Sequence, residues 1–337
     1  MFFSIIIPCP KINLNFEKET IPAILKQKGV DFEIIIIPDK KTSKSFPKTK
    51  IFPLAGLPAQ KRNHGLEKAR GEVVVFIDDD AYPEKNWLKN IAQNFKNNTE
   101  IIGVGGPGLT PPNDPFLAQA SGWFWASPLG SGGAGQYRSW PQKKRLVDDY
   151  PTFNLAIKKK ALDEIGGFNY QFWPGEDTKL CLDLVYRLKG KIFYQPKAVV
   201  FHHRRKIFIP HLKQIGRFGY HRGLFVNLFP KTSRRIGYFL PFFFSAGFFG
   251  GPVFYLIFFL LKLSLLTKII GVIYLSVIGV YSLGLLFNAL WVFLKSKSIL
   301  IALLVIPTVF VSHLFYGIMF FKGLTRKVVK SKFSREG

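Results

Sequence analysis

Hydrophobic positions fall into two regimes along the chain. As far as about residue 205, apolar runs are short and alternate with polar, helix-forming stretches; past residue 235 they lengthen until each could span a bilayer. In the first regime Phe2–Pro8 and residues 32–37 read as strands, and so does Val73-Val74-Val75-Phe76-Ile77. That third run is apolar at every position, as expected for a strand covered on both faces, and it stops abruptly at Asp78-Asp79-Asp80. Residues 15–28, 58–69 and 83–95 have helical composition, with Pro22 and Pro83 suited to breaks or first turns. Residues 101–106 form a further strand ending in glycines. The alternation predicts an α/β fold, a doubly wound and mostly parallel sheet.

The pattern breaks between residues 107 and 149, where Gly, Pro, Ser and Trp dominate. So long an irregular insert is expected to be a substrate-binding or lid segment. A strand over 152–157 and a helix over 158–165, stopped by Gly166-Gly167, restore the alternation. A helix over 176–188 and strands over 191–194 and 198–201 complete it.

Basic and apolar residues interleave from 206 to 235, a composition suited to helices lying in a headgroup layer. Three apolar blocks follow, over 238–261, 269–294 and 299–321, each reaching the ~20 residues a spanning helix needs. The expected organisation is therefore an α/β domain over 1–205, interfacial helices over 206–235, α-helical transmembrane segments over 236–322 and a basic tail over 323–337. An odd number of crossings would put the tail opposite the α/β domain. Arg326, Lys327, Lys330, Lys332 and Arg335 would instead hold it on the same, cytoplasmic side. Gly250-Gly251-Pro252 interrupts the first block, and a re-entrant hairpin there would reconcile the two.

Charge and composition sharpen this picture. Lys and Arg number 47 against 21 Asp and Glu, a formal net charge of +26, which points to an anionic partner. The 35 phenylalanines and the slightly positive mean hydropathy favour an acidic membrane surface over nucleic acid. Cys9 and Cys181 lie far apart without metal-type spacing, so no disulfide framework is expected. Phe2–Pro8 is too short for a signal-peptide core.

Chemistry concentrates at four places. Adjacent aspartates at 78–80 repel one another unless a cation or dense hydrogen bonding offsets their charge. In open α/β sheets the carboxyl ends of the strands, where these acids and Asp39 fall, are where ligands bind. Gly175-Glu176-Asp177 sets two acids at a helix start, fit either for general base work or for capping. His202-His203 follows the last strand, and in extended chain only one of the pair faces the site; metal binding and an interfacial phosphate role both suit it.

These residues stand in an order that resembles the family 2 glycosyltransferases. The order runs Ser4-Ile5-Ile6-Ile7-Pro8, Arg62-Asn63-His64-Gly65, Ala69-Arg70-Gly71-Glu72 and Phe76-Ile77-Asp78-Asp79-Asp80. Gly166-Gly167-Phe168, Gly175-Glu176-Asp177 with Leu180, Gly190, and Pro196-Lys197-Ala198-Val199-Val200-Phe201-His202 continue it, so the likeness covers roughly 1–205. His313-Leu314-Phe315-Tyr316-Gly317 and Gly323-Leu324 are similar to membrane-bound members that build surface polysaccharides and glycolipids, of the succinoglycan type. Gln214-Ile215-Gly216-Arg217-Phe218 resembles the Gln-x-x-Arg-Trp element of processive synthases, with Phe in place of Trp.

The resemblance implies a GT-A fold, a nucleotide-sugar donor and inversion at the anomeric carbon. By the same likeness, the donor would contact Pro8, Asp39, Arg62, Asp78, Asp79, Gln214 and Arg217. Asp39 would sit against the base and Asp78 near the ribose, while Asp79, out of register with its neighbours, would point away. Asp80 and His202 would hold a divalent cation, Mg²⁺ or Mn²⁺. Asp177 would be the general base, oriented by Glu176. Pro38-Asp39-Lys40 departs from the family's paired acids, which weakens any inference of uridine specificity. The expected protein is an enzyme at the cytoplasmic face of the cell membrane, with a lipid-linked or membrane-proximal acceptor, anionic lipids as partners and no nucleic acid. Two other readings are a sugar nucleotidyltransferase, which would want a glycine-rich loop where Pro8-Cys9-Pro10-Lys11 stands, and a scaffold with a degenerate transferase domain.

Overall fold

The computed structural model describes residues 1–98, 100–132 and 135–326. Gly133, Ala134 and the tail residues Lys327, Lys330, Lys332 and Arg335 therefore lie outside the described residues. The chain forms two compact units, one built from Met1–Pro111 and Tyr137–His203, the other from Pro112–Gln136 and the chain from Arg204 onward.

In the first unit β1 (Phe2–Pro8) is followed by a π-helical turn at Phe16–Thr20 and the short helix α1 (Ile21–Leu25), which has Pro22 in its first turn. Next come β2 (Asp31–Ile37), β3 (Thr49–Ile51), α2 (Pro58–Lys68) and β4 (Val73–Ile77). The helix expected from residue 83 starts later. Residues Ala81–Pro83 form β5, and α3 spans Trp87–Asn97. The chain continues through β6 (Ile101–Gly105), β7 (Gly108–Leu109), α4 (Phe116–Ala126, part of the second unit), β8 (Arg145–Val147) and β9 (Asn154–Lys158). Then follow α5 (Lys159–Ile165), α6 (Glu176–Leu182) extended by a π-helical turn at Asp183–Arg187, β10 (Lys191–Tyr194) and β11 (Val200–His202).

The main sheet has eight strands in the order β3-β2-β1-β4-β9-β6-β10-β8. β3, β2, β1 and β4 pair in parallel, as do β6 and β10, whereas β9 runs antiparallel between β4 and β6, and β8 antiparallel to β10. Four of its seven strand pairings are thus parallel, the mostly parallel sheet expected from the sequence. Strand β1 separates β2 from β4, so Asp39 and the 78–80 acids leave strands on either side of it rather than neighbouring strands. Ile5, Ile6, Ile7, Ile34, Ile35, Ile36 and Val73–Ile77 are almost fully buried, which explains why their sequences show no alternation. In a second sheet, β5-β11-β7, the central strand corresponds to the one read over 198–201, while β5 and β7 are too short to read as strands in the sequence.

The Ala69-Arg70-Gly71-Glu72 segment is a staple for this core. Buried Glu33 accepts from Ser4 Oγ at 2.8 Å, Arg70 N at 2.9 Å, and Arg70 Nε and Nη2 at 3.1 and 3.0 Å. Ser4 Oγ in turn accepts from Gly71 N at 2.7 Å, and a Cβ at Gly71 would stand 2.4 Å from Ser4 N. Burial raises the Glu33 pKa, and these donors more than offset it, leaving the carboxyl below its ordinary value of 4.5.

The second unit contains α4, α7 (Ile209–Leu228), α8 (Pro230–Ser233), α9 (Ile236–Leu260), α10 (Ser264–Ser296) and α11 (Ile299–Leu324). Helices α9, α10 and α11, of 25, 33 and 26 residues, are long and apolar enough to cross a membrane. At 1.5 Å per residue α10 is about 50 Å long, well beyond the ~30 Å of a hydrocarbon core. The Gly250-Gly251-Pro252 interruption does not make a hairpin: α9 runs on as one helix through Pro241 and Pro252.

Helix α7, expected from its composition to lie in a headgroup layer, packs closely on α11. It presents Gly216, Gly219 and Gly223 to α11 so closely that a Cβ at Gly223 would stand 2.0 Å from Phe320 O, and Gly323 returns the contact at Tyr220 O. The insert is also more ordered than its composition suggests. His211 Nδ1 lies 3.0 Å from Ser121 Oγ of α4 and its Nε2 3.1 Å from Ser312 Oγ of α11. Leu129 N donates to Asn288 Oδ1 at 2.9 Å, and Leu129 O lies 3.1 Å from His313 Nε2. With glycines and serines setting its turns, this stretch shows no helical period in sequence, yet polar contacts tie it to the apolar helices of its own unit.

Candidate active site

The site is assembled where β4 runs out. Val73–Ile77 buries every side chain, so the chain can present its acids only after Ile77. It then turns into β5, which pairs antiparallel with β11 and sets His202 opposite Ala81. His202 Nε2 consequently lies 3.0 Å from Asp80 Oδ1, and His203 N donates to Asp80 O at 3.0 Å. The two histidines diverge as their extended backbone requires: His203 Nε2 reaches Glu19 Oε2 at 2.7 Å on its own side.

Asp78, Asp80 and His202 each offer a donor atom within 4.8 Å of the other two. Two hard carboxylates and one imidazole suit a divalent cation, and the spacing is one that a single ion bridges. His202 Nδ1 is buried with no hydrogen-bond partner among the described residues, and the ring packs against Phe153 at 5.0 Å between centroids. Burial raises the Asp78 pKa, Arg62 lowers it and Asp80 raises it again. A bound cation would relieve that burial and repulsion. Asp78 thus stands with Asp80 and His202, the two residues that the sequence assigns to a cation.

Arg62 of α2 is not a solvent-facing anion hook. Its buried guanidinium donates through Nη2 to Asp78 Oδ1 and through Nη1 to Glu176 Oε1, both at 3.0 Å. It ties the end of β4 to the start of α6. Glu176 also accepts from Gly175 N at 2.9 Å, and Gly175 has φ +148°, a backbone open to glycine. Half-buried Asp177 accepts from Thr178 N at 2.8 Å. Behind the helix, Thr178 Oγ1 donates to Asp149 Oδ1 at 3.1 Å, and Asp149 is in turn held by Arg138 Nη2 at 3.2 Å.

A cleft of about 570 Å³ opens beside the cluster, lined among others by Pro10, Asn13, Asp39, Lys40, Thr42 and Asp79. Asp79 therefore faces the cleft rather than away from it. Burial, then Asp80 and Asp78, push its pKa up to about 7. Asp39 is gripped by buried Lys61, whose Nζ lies 2.5 Å from Asp39 Oδ1 and 2.6 Å from Cys9 O. Pro8 is buried in β1, and Pro10 takes the place at the cleft wall. Gln214 and Arg217 belong to α7 of the second unit, where Arg217 is exposed and Phe218 meets Trp125 edge-on at 5.7 Å.

Sequence reasoning missed Lys61 and Asn154. Lys61 carried a signal, since it stands one residue before Arg62 on a helix that packs on the sheet. Asn154, fully buried opposite Ile77, donates to Gly106 O and Ala198 O at 2.7 Å and accepts from Trp87 Nε1 at 2.8 Å. It joins the main sheet to the β5-β11-β7 sheet that carries His202.

The model of "Glycosyl transferase family 2" matches residues 4–166. A Methanococcus voltae dolichyl N-acetyl-alpha-D-glucosaminyl phosphate 3-beta-D-2,3-diacetamido-2,3-dideoxy-beta-D-glucuronosyltransferase is 24% identical over 327 residues, covering 93% of this chain and 90% of that protein. The glucosyl-dolichyl phosphate glucuronosyltransferase of Haloferax volcanii is 22% identical over 151 residues, 42% of this chain, and the match spans only 46% of the haloarchaeal protein. Among solved structures, S. aureus TarS 1-349 in complex with UDP-GlcNAc superposes with a TM-score of 0.45 at 17% identity, covering 66% of each chain. Residues 4–166 match the glycosyl transferase family 2 model, and this stretch is a domain of that family.

Proposed function

We propose that the chain is a membrane-anchored, inverting glycosyltransferase that moves a sugar from a nucleotide-sugar donor to a lipid-linked acceptor. The observation that carries the reading is the convergence of Asp78, Asp80 and His202 beside the Arg62–Glu176 pair and the cleft holding Asp39 and Asp79. A divalent cation, Mg²⁺ or Mn²⁺, held by Asp78, Asp80 and His202 would stabilise the charge gathering on the departing nucleoside diphosphate. Asp39, set by Lys61, would meet the base in the cleft, and Asp79 would contact the same donor. Arg62 would not touch the donor; it keeps Asp78 and Glu176 in register, and through Glu176 the first turn of α6. Asp177 on that turn would take the proton from the acceptor hydroxyl as its oxygen attacks in line.

Two observations support the lipid-linked acceptor: the dolichyl phosphate substrates in the names of both archaeal relatives, and the three helices long enough to cross a membrane. Basic residues outnumber acidic ones throughout 204–326, which favours a face toward anionic lipids on the cytoplasmic side. Membranes carrying the full chain, offered a set of nucleotide sugars and a polyprenyl phosphate-linked acceptor, should yield a lipid product heavier by one sugar. Transfer that is lost with chelator and regained with Mn²⁺ is the expected result. Full transfer by Asp80→Ala or Asp177→Asn would overturn the reading.

A further inference from the structure

The loop that feeds α6 carries four aromatic residues, Phe168, Tyr170, Phe172 and Trp173. Folding divides them. Phe168 is buried edge-on against Phe76, with 5.0 Å between centroids, and Phe172 is buried in a 3₁₀ turn over Tyr170–Phe172. Tyr170 and Trp173 stay 50% and 41% exposed. The loop that shows these rings is braced. Asn63 Nδ2 donates to Phe168 O at 2.8 Å, and Phe168 N donates to Asn63 Oδ1 at 2.7 Å. Trp173 N donates to Tyr170 O at 3.3 Å, and Glu176 beyond it is held by Arg62. Two large rings are thus kept in solvent on a fastened loop, directly ahead of Asp177.

A water-facing ring next to a base suits a flat ligand that has both apolar and polar atoms. A pyranose is such a ligand. Its C–H face carries partial positive charge for the electron-rich face of an aromatic ring, and its hydroxyls stay free for polar groups. The chemistry of the base selects the same occupant. A phosphate monoester is already mostly ionised near neutral pH, its second pKa being about 6, so a bare lipid phosphate needs no base in order to attack. A sugar hydroxyl does. We propose, on the transferase reading in which Asp177 is that base, that Trp173 with Tyr170 forms a platform on which the sugar ring of the acceptor stacks. The acceptor is then a lipid that already carries a sugar. Its hydroxyl oxygen bonds to the donor's anomeric carbon and its proton passes to Asp177. The bond from that carbon to the diphosphate breaks, and the electron pair leaves with the diphosphate.

The test uses the full chain purified in a neutral detergent whose headgroup is not a sugar. Methyl glycosides of glucose, galactose, mannose and N-acetylglucosamine are titrated by saturation-transfer NMR, beside citronellyl phosphate, an isoprenoid with no sugar. At least one glycoside is expected to bind through its ring C–H protons. Trp173→Leu keeps apolar bulk without an aromatic face and is expected to weaken that binding about tenfold. Trp173→Phe should restore most of it, and Tyr170→Leu should cost about threefold. The platform is overturned if no glycoside binds, or if Trp173→Leu binds glycosides as the parent does. It is overturned as well if only citronellyl phosphate loses affinity in that variant, since the ring would then serve the isoprenoid. If Trp173→Leu fails to fold, Tyr170→Leu is read instead, and parent-like affinity overturns the platform. Transfer separates this proposal from the reading it rests on. A parent that binds glycosides through Trp173 but transfers no sugar keeps the platform and sinks the transferase. Transfer by Trp173→Leu at the parent's acceptor KM sinks the platform alone.

Discussion

Nε2 of His202 lies 3.0 Å from Oδ1 of Asp80, although the two stand far apart in the sequence. The contact depends on the pairing of β11 with β5, which lays the last strand beside the turn that follows β4. Either group alone would be a poor trap for a cation. Together with Asp78, whose donor atom lies within 4.8 Å of theirs, they would make one.

Asp80→Ala and His202→Ala should each weaken cation-dependent binding of a nucleoside diphosphate by about 10- to 100-fold, the range found when groups around a metal are removed. Calorimetric titration of the diphosphate with and without Mn²⁺ measures this. Parent-like affinity in both variants would remove the cation site from the account.

Arg62→Met should destabilise the first unit by about 3–5 kcal/mol, because it strands the carboxylates of Asp78 and buried Glu176 without their shared cation. Adding Glu176→Gln to it should recover part of the loss. Thermal unfolding followed by circular dichroism checks both, and additive losses would argue against direct coupling.

Glu33 sets an acid limit on stability. Its pKa in the folded chain lies below the ordinary 4.5, so its contribution is fully present above the unfolded value and is lost as pH falls through the lower folded value. Glu33→Gln should therefore lower the thermal midpoint at pH 7 and flatten its fall below about pH 4.5. A variant whose midpoint tracks the parent across that range would show that the Arg70 and Ser4 contacts add nothing.

Helix packing in the second unit can be tested with single methyl groups. Gly223→Ala places a Cβ against Phe320 O at 2.0 Å, and Gly323→Ala against Tyr220 O at 1.9 Å, so both should reduce the yield of monodisperse protein. Gly279→Ala, with nothing within 4 Å of the new carbon, should not. Size-exclusion profiles in one detergent compare the three; equal yields would mean that α7 and α11 do not rely on close approach.

The sequence by itself determined the parts whose physics is local. Val73–Ile77 could only be a strand covered on both faces, because five consecutive apolar residues, four of them β-branched, have no polar side to show water. Three adjacent aspartates after it marked a charged site, and the apolar blocks after residue 235 marked helices long enough for a bilayer. The sequence also pointed to the start of α6 through Gly175-Glu176-Asp177.

Tertiary structure decided what depends on partners distant in the chain. The antiparallel course of β9, the entry of β1 between β2 and β4, and the short strands β5 and β7 follow from pairing, which no local period records. So does the role of Arg62: in sequence it is one more cation near acids, and only folding makes it the link between Asp78 and Glu176. The same holds for α4 and α7. Their glycines, serines and histidines look like loop or headgroup chemistry until facing helices supply the carbonyls and hydroxyls they pack against. Apolar runs specify an element through their own solvation, whereas a polar group takes its meaning from the partner that folding brings to it.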